Sequence, residues 1–188
     1  MCRISAIAQR PRGFERVPSV TQISKTAPDA KDEWQTPPWL FDWLDQRFEF
    51  GTDLAATAAN ALLPVFITLE DNAIATDWAS LPGPAFCNPP YSNIEPWLRK
   101  AREAACDGLT SVFLIPTPNG EEHYGFHVFG AASEVIFITG RLAFINTQGK
   151  PQSGNTRGSC IVIYEGHSLG DTRYRHVWRD EIRKEFDE

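Results

Sequence analysis

Three apolar runs constrain the fold more than anything else in the chain: LTSVFLIP at 109–116, EVIFIT at 134–139 and SCIVIY at 159–164. Each is short, rich in β-branched residues and bounded by polar turns, so each reads as a strand buried on both faces. Helical patterns lie between and before them. At 92–108, Ile94, Trp97, Leu98, Ala101 and Ala105 form an apolar stripe, Ser92 and Glu95 have capping-box spacing, Pro96 falls in the first turn and Gly108 closes the helix. Near 36–48, Thr36 reads as the N-cap and Pro37 as the first helical residue, with Leu40, Trp43 or Leu44, and Phe48 at helical spacing. Strands alternating with helices give an α/β fold with a mostly parallel sheet, and the short link from EVIFIT to RLAFI adds an antiparallel edge.

Three shorter strands are expected to end next to polar residues. FEFGTD ends at Asp53, Val65 to Thr68 runs into Glu70 and Asp71, and the strand at 84–87 runs into Asn88. Ligands of parallel sheets bind beyond the carboxyl ends of the strands. Asp53, Glu70 or Asp71, and Asn88 are therefore the candidate site residues.

Length and composition bound the rest. The chain has 188 residues, 42% of them hydrophobic, which supplies one sizeable core and one domain, taken as 32–188. Residues 1–31, with prolines at 11, 18 and 28, read as a flexible N-terminal arm. No stretch has the length of an apolar membrane span and the first residues lack the long apolar segment of a signal peptide, so a cytoplasmic protein is expected. Cys2, Cys87, Cys106 and Cys160 form no CxxC pair and read as reduced thiols. His123 and His127 are four apart, but Gly125 between them favours a polar loop with solvated imidazoles over a helical metal pair. The net charge of −6 gives no general affinity for nucleic acid, and the basic clusters Arg3, Arg10, Arg12, Arg16 and Arg173, Arg175, Arg179 read first as solvated surface.

The stretch AFCNPPYSNIEPW, 85–97, carries the chemistry. Proline after Asn88 forces the asparagine into an extended conformation, and two prolines stiffen the turn and remove donors. The Asn88 side-chain oxygen and the Pro89 carbonyl then stand as fixed acceptors beside the flat face of Tyr91. That set fits a planar ring bearing an exocyclic amine, whose two hydrogens it accepts while the ring stacks. The alternative is a proline-rich turn with Tyr91 in the core. The tetrapeptide arises by chance in on the order of one in a thousand chains of this length, and its place between strand and helix makes coincidence rarer.

NPPY resembles motif IV of the S-adenosylmethionine-dependent amino-methyltransferases, D/N/S-P-P-Y/F/W. The wider set, DEWQTP, GTDLAAT, TDW, FCNPPYSNIEPWLRKA, VFLIP and EVIFITGRLAF, resembles the phage-type DNA N6-adenine methyltransferases of the Dam family over roughly 31–165. The tetrapeptide alone is shared with protein-glutamine and RNA methyltransferases. The resemblance implies a Rossmann-like methyltransferase fold, a DNA substrate with the target adenine flipped from the stack, and a place in restriction protection or regulation. It implies a catalytic group of Asn88, Pro89, Pro90 and Tyr91. For the cofactor it implies Trp34, Thr36 and Pro37 near the methionine carboxylate, Asp53 and Ala55 at the methionine end, Glu70 or Asp71 on the ribose, and Asp77 with Trp78 at the adenine. After Asp53 the chain reads LAATAAN, where the family pattern has a glycine-rich turn. DNA contacts fall to the N-terminal arm, the loops at 117–127 and 146–158 (the latter a candidate mobile element), Arg141 and Arg157. A methyltransferase-like protein that binds DNA without turnover is the reading from another class.

Overall fold

The computed structural model describes residues 32, 34–152, 155–168 and 170–186, so the expected arm at 1–31 lies outside the described residues. Helix α1, Pro38–Phe48, buries Leu40, Phe41 and Leu44 on one face. It starts one residue later than the sequence suggests. Pro37 is the N-cap, at φ −58° and ψ 132°, because Pro38 behind it holds it extended, and Thr36 sits buried one place earlier. The helix ends at Glu49, which is left-handed with φ 51°, and the Asp45 carboxylate accepts from the Phe50 N–H at 2.7 Å.

Strand β1, Thr52–Asp53, pairs in parallel with β2, Ala85–Cys87, which pairs in parallel with β3, Ser111–Pro116. Gly51 is required where β1 begins, since a Cβ there would stand 2.2 Å from the Pro82 carbonyl oxygen. The expected strand from Val65 is present only as a bridge between Phe66 and Asp53, with Asp53 N–H donating to the Val65 carbonyl and Ile67 N–H to the Asp53 carbonyl, both at 2.9 Å. Between β2 and β3 comes α2, Glu95–Cys106, whose buried face is Leu98, Ala101, Ala104 and Ala105. Its capping box does not form. Ile94 is the N-cap, residues Tyr91–Asn93 make a separate 3-10 turn, and the Ser92 hydroxyl is engaged by Asp32.

Beyond β3 the sequence HYGFH is helical, not a loop. Helix α3, Glu122–His127, includes Gly125, and His127 is buried at 8% exposure. Packing of Tyr124, His127 and Val128 outweighs the roughly 1 kcal/mol that glycine costs a helix. Strand β4, Glu134–Thr139, follows; Phe144–Ile145 (β5) and Pro151–Gln152 (β6) form an antiparallel ribbon. Much of the stretch expected to be a mobile loop is therefore an ordered hairpin, its turn held by Asn146 Oδ1, which accepts from Gln148 and Lys150 N–H at 3.0 Å each. Strand β7, Ser159–Tyr164, is antiparallel to both β3 and β4, and β8, Arg173–Trp178, runs parallel to β4 before α4, Arg179–Phe186. The sheet order is β1-β2-β3-β7-β4-β8, mostly parallel with the antiparallel pairing on the β7 side.

The strand period of two divides the core. Phe113, Ile115, Cys160 and Val162 face the layer with Leu98, Trp78 and Tyr124, while Val112, Leu114, Ile161 and Ile163 face α1, Phe50 and Phe86. Cys87 and Cys160 are buried in strands, and burial pushes the Cys160 thiol up to about 12. Among the described residues no helix is long and apolar enough to cross a membrane.

Glu134, 2% exposed, accepts from Arg47 at 2.8 Å, Arg175 at 3.2 Å and Arg173 at 3.4 Å. Arg173 also reaches Glu165 at 3.1 Å, so these C-terminal arginines are tied into a network on the protein itself. Burial pushes the Glu134 pKa up, but the Arg47 hydrogen bond and the three guanidinium charges outweigh it and hold it below the ordinary value. A depressed folded pKa means stability that is present above the unfolded pKa and lost as pH falls through the folded one. Glu134→Gln is expected to cost about 1.5–3 kcal/mol at pH 7, measured by denaturant unfolding. The gap should close as the buffer is taken below the ordinary glutamate range.

Candidate active site

Because β1, β2, β3, β4 and β8 run in one direction and β7 against them, the ends of five strands and the start of the sixth meet at one edge of the sheet. Asp53 ends β1, Asn88 follows β2, Thr117 follows β3, Arg141 lies two residues past β4, and Arg157 two residues before β7. The strand ends that carry Asp53 and Asn88 are thus neighbours: Asp53 is paired with Phe86, and the Leu54 N–H donates to the Phe86 carbonyl at 2.9 Å.

The Asn88 amide is held at both ends. Its Nδ2 donates to the Trp34 carbonyl at 2.8 Å, and its Oδ1 accepts from the Tyr91 hydroxyl at 2.9 Å. The Tyr91 hydroxyl has a second acceptor at 3.4 Å, the Leu114 carbonyl on β3. An amide oxygen has two lone pairs, so Oδ1 keeps one acceptor position. The Pro89 carbonyl is engaged by no hydrogen bond among the described residues. Trp34 stacks on Phe144 with ring centres 5.4 Å apart, and Phe144 meets Tyr91 edge-on at 6.2 Å. Tyr91 is half-buried with its hydroxyl turned inward; burial, then the neighbouring Cys160, Tyr124, Cys87 and Asp32, raise its pKa well above the ordinary value. It is a neutral donor across the working pH range. Pro90, the N-cap of the following 3-10 turn, stiffens the step from acceptor to ring.

Asp53 is 3% exposed. Its two oxygens accept only the N–H groups of Ala55 and Leu62, each at 3.3 Å, and no cation pairs with it among the described residues. Burial raises its pKa, partly offset by those two hydrogen bonds. A buried carboxylate without a cation is costly on its own and suited to a cationic ligand group. The turn after it, which lacks glycines, closes through side chains instead: Asn60 Oδ1 accepts from the Thr57 N–H at 2.6 Å and from its hydroxyl at 2.9 Å.

The matching family model is that of the DNA N-6-adenine-methyltransferase (Dam) family, over residues 23–185. This chain belongs to that family. It is also 32% identical over 149 residues to the DNA N-6-adenine-methyltransferase of Haemophilus phage HP1 (strain HP1c1), covering 76% of this chain and 83% of the relative. It is 42% identical over 71 residues to the Escherichia coli (strain K12) protein named "Putative methyltransferase YfdM", covering 35% of this chain and 74% of that one. As a Dam-family enzyme, this chain transfers a methyl group to the N6 amine of adenine in DNA.

The remaining expected residues of this Dam-family site are placed unevenly. Asp71 spends one carboxylate oxygen on its own turn, accepting from the Thr68 N–H at 3.0 Å and hydroxyl at 2.8 Å, and these bonds lower its pKa. Glu70 beside it is exposed and makes no hydrogen bond among the described residues. Asp77 is exposed and caps a 3-10 turn, with one oxygen accepting from the Ala79 N–H at 3.1 Å. Trp78 is 1% exposed, packed against Trp97 and Phe113, and its Nε1 donates to the Ala73 carbonyl at 2.7 Å.

Arg141 and Arg157 sit exposed at the rim, the first with Nη1 beside Gly158 and the second 3.6 Å from Glu121. Thr36 and Pro37 are buried where the chain enters α1. Sequence reasoning missed Asp32, which accepts from both the N–H and the hydroxyl of Ser92. Its partner lies 60 residues away in sequence, so the tie is visible only when the two segments are seen together.

Proposed function

We propose that S-adenosylmethionine is the methyl donor and that Asn88, Pro89 and Tyr91 hold a flipped adenine for transfer. The observation that carries this reading is the Asn88 amide, fixed by Trp34 and Tyr91 with an acceptor position left over. Asn88 Oδ1 and the Pro89 carbonyl accept the two amine hydrogens, which draws the nitrogen towards tetrahedral geometry and directs its lone pair outward. Tyr91 supports the base with its ring. No strong base is needed before transfer, because the extra proton leaves afterwards, and the rate advantage is one of positioning. When bound, the cofactor supplies an electrophilic methyl group on a cationic sulfur.

The residues present fit the donor at its methionine end. Asp53, buried and without a cation, accepts from the ammonium; the entry to α1 at Trp34, Thr36 and Pro37 faces the carboxylate; Ala55 lines the turn. Glu70 takes the ribose hydroxyls, since Asp71 is engaged with Thr68. Asp77 accepts from the cofactor amine with its remaining oxygen, and Trp78 serves as a buried support under it. Arg141 and Arg157 contact DNA phosphate, which gives affinity without reading sequence. Residues 32–188 form one catalytic domain.

Asp53→Ala is expected to weaken S-adenosylmethionine binding by about 10- to 100-fold, the loss of a charge-assisted contact of about 1.5–3 kcal/mol. Calorimetric titration of the purified variant measures it. Unchanged affinity would remove Asp53 from the cofactor site.

A further inference from the structure

We propose that Asp32 is a positioning residue for methyl transfer, clamping the far end of the Asn88 turn so that the amine acceptors are held in register. Strand β2 fixes only where this turn begins. Its other end is tied by Asp32, whose Oδ1 accepts from the Ser92 N–H at 3.2 Å and whose Oδ2 accepts from the Ser92 hydroxyl at 2.5 Å. Two residues on, the Trp34 carbonyl accepts from Asn88 Nδ2 at 2.8 Å. The next residue, Gln35, exchanges two backbone hydrogen bonds with Ile145, at 2.9 and 3.0 Å, and so anchors this segment to the β5 ribbon. The Trp34 ring stacks on Phe144, which in turn meets Tyr91.

Asp32 and residues 34–36 thus lie across the turn from 88 to 92, holding it at both ends. Asp32 is exposed, so it contributes nothing through core burial. Its effect falls on the orientation of Asn88. Without the tie to Ser92, the Trp34 carbonyl and Asn88 amide are held in register only by the Gln35, Phe144 and Tyr91 contacts, and Oδ1 is aimed less tightly at the amine. Because the same segment leads into α1, the clamp also links the cofactor half of the site to the amine half. The proposal rests on the reading of Asn88 as an amine acceptor.

The test uses the full chain with Asp32→Ala, Asp32→Asn, Ser92→Ala and the Asp32→Ala/Ser92→Ala double variant, beside Asn88→Ala. Single-turnover methylation of DNA at saturating S-adenosylmethionine is expected to fall about 10- to 100-fold in Asp32→Ala. Asp32→Asn, which keeps one acceptor oxygen, should fall less, with Tm and KM for DNA unmoved in both. The double variant should be no slower than Asp32→Ala, since both changes cut one tie. A wild-type rate in Asp32→Ala, a rate loss matched by a fall in Tm, or additive effects in the double variant would overturn the proposal. If Asn88→Ala itself kept the wild-type rate, the reading of Asn88 would fail, and that result is separable from the others.

Discussion

Replacing Asn88 with alanine is expected to lower the single-turnover rate of adenine methylation by at least about 10²–10³-fold, with donor affinity essentially retained. The alanine removes the oxygen that accepts one amine hydrogen, leaves the Trp34 carbonyl without its donor and leaves the Tyr91 hydroxyl only the longer contact to the Leu114 carbonyl. Asn88→Asp separates these effects, because it keeps an acceptor oxygen while losing the donation to Trp34. It should retain more activity than the alanine variant. Tyr91→Phe completes the set: the ring remains and only the hydroxyl bonds to Asn88 and Leu114 are lost, so it should be far more active than Tyr91→Ala. An Asn88→Ala enzyme that lost donor binding instead of turnover would move Asn88 into the cofactor site.

The largest effect on stability is expected from Trp78→Ala, at about 3–5 kcal/mol. Trp78 is among the largest fully buried side chains and sits between Trp97 and Phe113 on the α2 side of the sheet. The substitution opens a cavity there and strands the Ala73 carbonyl that the indole N–H satisfies. For a chain of this size each kcal/mol moves Tm by about 2–4 °C, so a fall of about 10 °C should be seen by calorimetry. Trp78→Phe fills most of the space and should lose much less. If Trp78→Ala left Tm unchanged but weakened donor binding, its ring would belong to the cofactor pocket after all.

The sequence was most readable where one residue set served both chain geometry and chemistry. Strand runs such as SVFLIP and SCIVIY are apolar on both faces because the sheet is covered on both sides, so their burial was visible without coordinates. NPPY was visible for a related reason: proline rigidity belongs to the backbone, and its acceptors follow from residue identity. What stayed hidden depended on partners far away in sequence. Strand β8 reads RYRHVW, with little apolar pattern, because it sits at the sheet margin and its arginines answer Glu134 on β4. The helix at HYGFH was masked by Gly125, whose local cost is outweighed by burial of Tyr124 and His127. Ser92 and Glu95 matched a capping box on spacing, yet the Ser92 hydroxyl was already taken by Asp32, 60 residues earlier. Asp77 and Trp78 shared one motif but point different ways, the acid outward and the indole into the core.

The most direct test of the account is to incubate the purified full chain with S-adenosylmethionine and unmethylated duplex DNA, digest the DNA and identify its nucleosides by mass spectrometry. N6-methyladenine is expected in the wild-type digest and none above background with Asn88→Ala. Methylated cytosine in place of adenine, methyl groups found only on protein or RNA, or equal N6-methyladenine from the Asn88→Ala enzyme would contradict it.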